Sequence, residues 1–244
     1  MWALVKKEFN AFFQSSTGML ILCVYLGLNG CFLWLDQRLG FNLFDSGYAQ
    51  LDGLFMLSPW VFLFLLPAIG MRMLAEERRT GTLEWLLTKP LSEWEIVVGK
   101  WLAGILLVLL ALLPTTIYAY TLNQLGNPAG NLDLGSTLGS YIGLFLLASS
   151  YLSLSLFTSS LTDNQIVAFV SGSLLCAFFY FGFELLLTLD SFKGMELTIL
   201  RLGISEHYSS ISRGVIDTQD LVYFFGLTFI FLAAARTSLQ SRNW

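Results

Sequence analysis

The sequence has 244 residues, 55% of them hydrophobic and 12% charged, with a mean hydropathy of +0.68 and a net charge of -4. This composition excludes an ordinary soluble domain and indicates an integral membrane protein. The small charge is spread over connecting segments, which excludes a basic nucleic-acid face, and no polar stretch is long enough for a second core, so residues 1–244 read as one membrane domain.

Trp2, Val5, Phe9 and Phe12 or Phe13 recur at helical spacing, with Lys6, Lys7, Glu8 and Asn10 filling most of the other positions. That pattern predicts an interfacial helix over 1–16, lying on the bilayer. The first long apolar run begins only near Gly18 and has no small-residue cleavage site behind it, so it is expected to stay in the mature protein as a span. Apolar runs predict six spans: Gly18 to Leu35, Leu54 to Leu74, Ile96 to Tyr118, Gly139 to Phe157, Ile166 to Leu187 and Leu221 to Ala235. The last is short, with a continuation through Thr237 and Leu239 as the remedy. Cys23, Cys31 and Cys176 lie inside apolar runs without metal-ligand spacing and read as free thiols.

Between the second and third spans, Met71 to Lys100 carries ten charges: Arg72, Glu76, Glu77, Arg78, Arg79, Glu84, Lys89, Glu93, Glu95 and Lys100. A charge at the centre of a membrane helix costs about 2.5–3.5 kcal/mol on insertion scales, so this segment is expected in water or headgroups as a connecting loop. Within it, Leu83, Leu86 and Leu87 fall on one face of a short helix bracketed by Gly81 and Pro90. Ser92 and Glu95 have capping-box spacing, which predicts a second helix starting near Ser92.

Gly135, Gly139 and Gly143 are spaced by four at the entrance to the fourth span and permit close helix approach, within one bundle or at a dimer seam. Pro59, Pro67 and Pro114 mark a helix start or kinks in the second and third spans. The segment 188–220 carries Phe192, Met195, Leu197, Ile199, Leu200 and Leu202; too short to span, it is expected to dip into the far surface as a re-entrant helical pair. Glu184, just before it, is a candidate on an outer pathway or a surface carboxylate that reaches water.

Nine of the thirteen basic residues fall on one side if the amino terminus is cytoplasmic, and Arg38, Lys193, Arg201 and Arg213 on the other. Both termini and the central loop are therefore expected on the cytoplasmic side of the membrane. No phosphate-binding loop is present, because Gly99 and Lys100 lack the upstream glycine and the following hydroxyl. The single histidine, His207, excludes a multi-histidine zinc site and has no nucleophile motif beside it. The chain is not expected to be an enzyme.

The cluster AEERR, then GTLEWLL, then a proline and a GK entering a span, resembles the ABC-2 type membrane permeases. LDGLFMLSPWVFLFLLPAIGMR, LLTKPLSEWEIVVGK, QLGNPAGNLDLGSTLGSYIGLF, LTDNQIVAF and HYSSISRGVIDTQDLVYF are similar to the gliding-motility-associated GldF group of that family. The resemblance implies an all-α fold of six transmembrane helices with an amino-terminal interfacial helix, like a type V exporter. It further implies a permease subunit of an ATP-driven transporter, for gliding motility or envelope export. A separate GldA-like ATPase would bind ATP and magnesium, with no cofactor on this chain. A GldG-like subunit with an extracytoplasmic domain and a second membrane half, like or unlike, complete the expected complex.

On that resemblance 72–95 is the ATPase-coupling loop, with Gly81 to Thr88 as its coupling helix. Leu83, Leu86 and Leu87 are expected to supply apolar contact, with Glu76, Glu77, Arg78, Arg79, Thr82 and Glu84 as polar partners around it. Thr162, Asp163, Asn164 and Gln165, in the short turn between the fourth and fifth spans, form an expected second contact. The alternative is a scaffold that passes the ATPase cycle to an outside partner without moving a substrate.

Overall fold

A computed structural model describes residues 1–35, 40–43, 48–187, 194 and 196–241, with the side chains of Ser16, Thr17, Leu87 and Leu197 left aside. Arg38, Phe192, Lys193, Met195 and Arg242 lie outside the described residues. Every regular element among those described is helical. Helix α1 (Trp2–Gln14) joins α2 (Ser16–Trp34) at a 70° bend, and α3 (Asp52–Met73) crosses next. Two short helices follow, α4 (Ala75–Arg79) and α5 (Thr82–Leu87). Then α6 (Glu93–Leu112) runs through a 3-10 turn at Leu113–Thr115 into α7 (Thr116–Leu125). The long α8 (Leu134–Leu161) precedes α9 (Gln165–Ala177), which continues through a π-helical segment Phe178–Gly182 into α10 (Phe183–Leu186). Two short helices, α11 (Glu196–Leu200) and α12 (Ile204–Ile211), lead into α13 (Thr218–Gln240).

Five of these stretches are long and apolar enough to cross a membrane, and the bent α1–α2 pair makes a sixth. Parity favours the sixth. The Met1 amino group lies 3.8 Å from Glu95, and Gln240 donates to Glu93 at 3.3 Å, so both described ends of the chain meet at the start of α6. A chain that starts and finishes at one end of a bundle crosses it an even number of times, and α2, rising about 28 Å at 1.5 Å per residue, supplies the crossing. The fold is that of an all-α polytopic membrane protein.

The most enclosed long helix is α8, which packs against α3, α9 and α13, whereas α9 and α13 turn most of their surface outward. Phe62, Leu54 and Leu66 of α3 and Leu147, Tyr151 and Leu152 of α8 form the centre of the core. Several polar groups inside the bundle are paired locally, while the Tyr151 hydroxyl and Ser173 Oγ have no hydrogen-bond partner among the described residues. Tyr25 and Ser58 share a 3.0 Å hydrogen bond, Asn29 donates to the Tyr25 carbonyl at 2.9 Å, and Ser150 bonds Thr228 at 3.3 Å. This is what a low-dielectric interior requires.

Several boundaries depart from the sequence expectation. The segment expected as a loop is largely helical, with α4 beginning directly where α3 ends. The third crossing reaches Leu125 and the fourth runs from Leu134 to Leu161. Polar residues extend these helices because they find partners: Asp133 accepts from the N–H groups of Gly135 and Ser136 and so starts α8 earlier than its apolar run. The last crossing has 23 residues rather than fifteen, since Arg236 stacks over Trp94 and Ser238 donates to the Ser160 carbonyl. Pro114 sits in the 3-10 break of the third crossing, whereas α3 continues through Pro59 and Pro67.

Candidate functional site

Four features converge at the end of the bundle where the chain ends meet: α4, α5, the start of α6 and the turn 162–165. The junction of α3 and α4 is held by Ser159 of α8, whose Oγ accepts from the backbone N–H groups of Leu74 and Ala75 at 3.2 and 2.9 Å. These are donors that a helix start leaves free. Gly81 then takes φ +71°, a left-handed conformation that glycine adopts without strain, and turns the chain from α4 into α5. At the far side Ser92 and Glu95 form the expected capping box: Ser92 Oγ accepts from the Glu95 N–H, and Glu95 Oε2 accepts from the Ser92 N–H at 3.0 Å.

The leucine face of α5 points into the protein. Leu83 joins the main core, and Leu86 packs with Leu4 of α1 and Ile96 of α6; each is 7% exposed. The expectation that these leucines are available to another subunit is corrected accordingly, and the side chain of Leu87 lies outside the described set. What α5 shows outward is Trp85, 79% exposed, with Thr82 and Glu84 beside it. Sequence reasoning passed over Trp85. Its signal was its position, out of step with Leu83 and Leu86 on a helix with two faces.

The charged residues divide between inside and outside. Arg79 and Thr80 are exposed, while Glu76 is paired with Arg72 at 2.8 Å one turn earlier. Arg78 is half-buried. Glu77 turns inward, where its Oε2 lies 2.8 Å from Lys100 Nζ, and Glu8 Oε1 of α1 lies 3.2 Å from the same ammonium. Lys7 approaches both carboxylates at 3.5 and 3.7 Å and caps the group toward solvent. Lys100 is fully buried. It was expected in water; instead it sits in the second turn of α6, because two carboxylates neutralise it there and Lys7 balances the second.

The same cluster corrects the picture of α1. Leu4, Val5 and Phe12 are buried against the protein rather than turned to lipid, and Glu8 faces Lys100, although Trp2 remains 70% exposed. Helix α1 is thus fastened to α6 and α4 by apolar packing and by charge.

Thr162, Asp163, Asn164 and Gln165 lie at this same end. Asn164 Oδ1 accepts from the Ile166 N–H at 2.9 Å and caps α9, Thr162 Oγ1 accepts from the Asn164 N–H at 3.1 Å, and Gln165 hydrogen-bonds Glu76 of α4. The structure therefore brings the two expected contact segments side by side.

The remaining candidates lie at the opposite end. Glu184 is exposed and accepts from Ser205 Oγ at 2.6 Å, so it ties α10 to α12 at the surface. Of the three glycines, Gly139 meets the backbone of Gly214 and Gly143 meets Ile211, where an added Cβ would lie 2.9 and 2.5 Å from them, while Gly135 has no neighbour but its own cap, Asp133. Gly139 and Gly143 thus seat the end of α12 within one chain. No group of three or more potential metal ligands occurs among the described residues.

Residues 36–242 match a family profile described as ABC-2 family transporter protein. No curated protein matches the chain.

Proposed function

The chain belongs to the ABC-2 family of transporter proteins, membrane transport components that are not themselves catalytic, and from that membership we propose that it is a permease subunit driven by a separate ATPase seated on α5. The observation that carries this reading is Trp85. Trp85 is 79% exposed on a helix whose apolar face is already covered and belongs to neither buried apolar cluster among the described residues, and tryptophan in a partner's cleft is a typical binding hot spot. Glu84, Thr82 and Arg79 form the polar rim, and the turn 162–165 supplies a second contact.

Movement imposed on α5 has three rigid routes into the bundle. Leu83 passes it to the core, Leu86 to α1 and α6, and the Glu77–Lys100–Glu8 cluster binds α4, α6 and α1 together. The second and third crossings then tilt with the ATPase subunits as these close on ATP and magnesium. Closer identity follows the resemblance to the gliding-motility-associated permeases: a GldA-like ATPase, a GldG-like partner and a second membrane half, in a bacterial inner membrane with α5 and both chain ends cytoplasmic.

The test is co-purification of the tagged chain from native membranes in mild detergent, with mass spectrometry of the intact complex. An ATPase subunit is expected with the wild type and, after Trp85→Ala with Glu84→Arg, is expected to fall by about tenfold or more at unchanged permease abundance. An ATPase that remains bound to the variant removes α5 from the interface.

A further inference from the structure

At the end of the bundle remote from α5, the single histidine of the chain is clasped between α12 and α13. His207 Nδ1 lies 2.6 Å from Asp220 Oδ1, and Nε2 lies 2.9 Å from the carbonyl oxygen of Arg201. The Tyr223 ring stacks on the imidazole, centroids 4.0 Å apart at 20°, and its hydroxyl donates to the Leu202 carbonyl at 2.6 Å. Asp220 is buried, and its Oδ2 has no hydrogen-bond partner among the described residues.

Both ring nitrogens therefore face acceptors. A carbonyl oxygen has no proton to give, so Nε2 must carry one; an ionised carboxylate has none either, so Nδ1 must carry another. Neutral imidazole has only one N–H. The pair accordingly holds one proton more than a neutral histidine beside a carboxylate. Its place on the ring is favoured twice over: the Tyr223 face attracts a cation, and a buried carboxylate with one oxygen unpaired is stabilised by one.

We propose that His207 is held as an imidazolium and that the His207–Asp220 pair is a proton-dependent latch fastening α12 and the Arg201–Leu202 turn to the first turn of α13. Loss of the proton breaks one of the two bonds. Either Asp220 is left buried with no donor, or the Arg201 carbonyl loses its partner. The latch is thus closed while the proton is held and loosens as pH rises at that surface.

The other ionisable groups around it do not compete for the ring. On α12 itself these are Glu206 and Tyr208; burial pushes the Tyr208 phenol well above its usual value, and it donates to the Phe55 carbonyl at 2.6 Å. From the packed elements come Glu184 of α10, bonded to Ser205, Tyr180 of the π segment, Tyr141 and Tyr151 of α8, and Asp217, which caps α13. Arg201 and Arg213 flank α12, the latter donating to the Ser209 carbonyl. None of their side chains hydrogen-bonds the imidazole; Arg201 meets it only through its backbone carbonyl.

Because the chain has one histidine, 15N-histidine labelling of the full-length protein in nanodiscs, purified on a histidine-free tag, reports this ring alone. At neutral pH both nitrogens are expected to be protonated, and Asp220→Asn is expected to strip the proton from one of them. In the same variant, amide exchange over 204–211 is expected to quicken by about tenfold or more, with α8 unchanged as the control for folding. In the wild type, exchange over 204–211 should rise with pH beyond the intrinsic chemistry, and in His207→Gln it should not. A wild-type spectrum with one unprotonated nitrogen overturns the proposal. So does an Asp220→Asn protein whose α12 exchanges at the wild-type rate.

Discussion

Lys100 lies about 10 Å along α6 from Glu93 at 1.5 Å per residue, where its side chain is fully buried. Its tolerance rests on Glu77 and Glu8, at 2.8 and 3.2 Å. Buried ion groups of this kind add little net stability over an apolar replacement, yet removing one member leaves its partners as uncompensated charges. Lys100→Met alone is therefore expected to cost about 3 kcal/mol or more, read as a lowered thermal midpoint in detergent. Adding Glu77→Gln and Glu8→Gln to it should restore most of the loss. Equal midpoints for the single and triple variants would show that the cluster is not one electrostatic unit. A charge in the second turn of a helix starting at Ser92 was visible in the sequence; its partners were not, since Glu8 and Glu77 reach it from distant parts of the chain.

At the scale of the helix, α5 separates stability from recognition onto two faces. Leu86→Ala removes a buried side chain from the contact with Leu4 and Ile96 and is expected to destabilise by about 2–4 kcal/mol. Trp85→Ala, on the exposed face, should change the unfolding free energy by no more than about 0.5 kcal/mol while lowering ATPase retention. A chemical-denaturation series on both variants, set beside the co-purification, separates the two roles; a Trp85→Ala protein as unstable as Leu86→Ala would mean that the tryptophan is structural. The spacing of Leu83 and Leu86 revealed a two-faced helix, and the Ser92–Glu95 pair placed the next helix start correctly. Which face turns inward was not legible, because it depends on where α1 packs, and α1 was expected to give its apolar residues to lipid. A parallel case is Gly139, whose spacing announced a close approach without naming the partner. Gly139→Ala brings a methyl against the Gly214 backbone and should cost about 1–3 kcal/mol in the same measurement, with the loss centred on α12.

Across the whole molecule, hydropathy located the crossings while their ends followed polar partners that hydropathy does not register, as Asp133, Arg236 and Ser238 illustrate. The number of crossings is decided by the meeting of Met1 with Glu95 and Gln240 with Glu93 at one end. The expectation for orientation rests on a different quantity, the concentration of eight of the ten described basic residues at that end. The two combine into one expected outcome. In a background without Cys23, Cys31 and Cys176, a cysteine at the exposed Glu84 should react with a membrane-impermeant thiol reagent only in inside-out vesicles, and one at the exposed Ser209 only in right-side-out vesicles. Labelling of both from the same side would contradict the bundle, since α13 alone carries the chain from one site's end to the other. Labelling from opposite sides but in the reverse order would keep the fold and invert its placement, leaving α5 out of reach of any cytoplasmic ATPase.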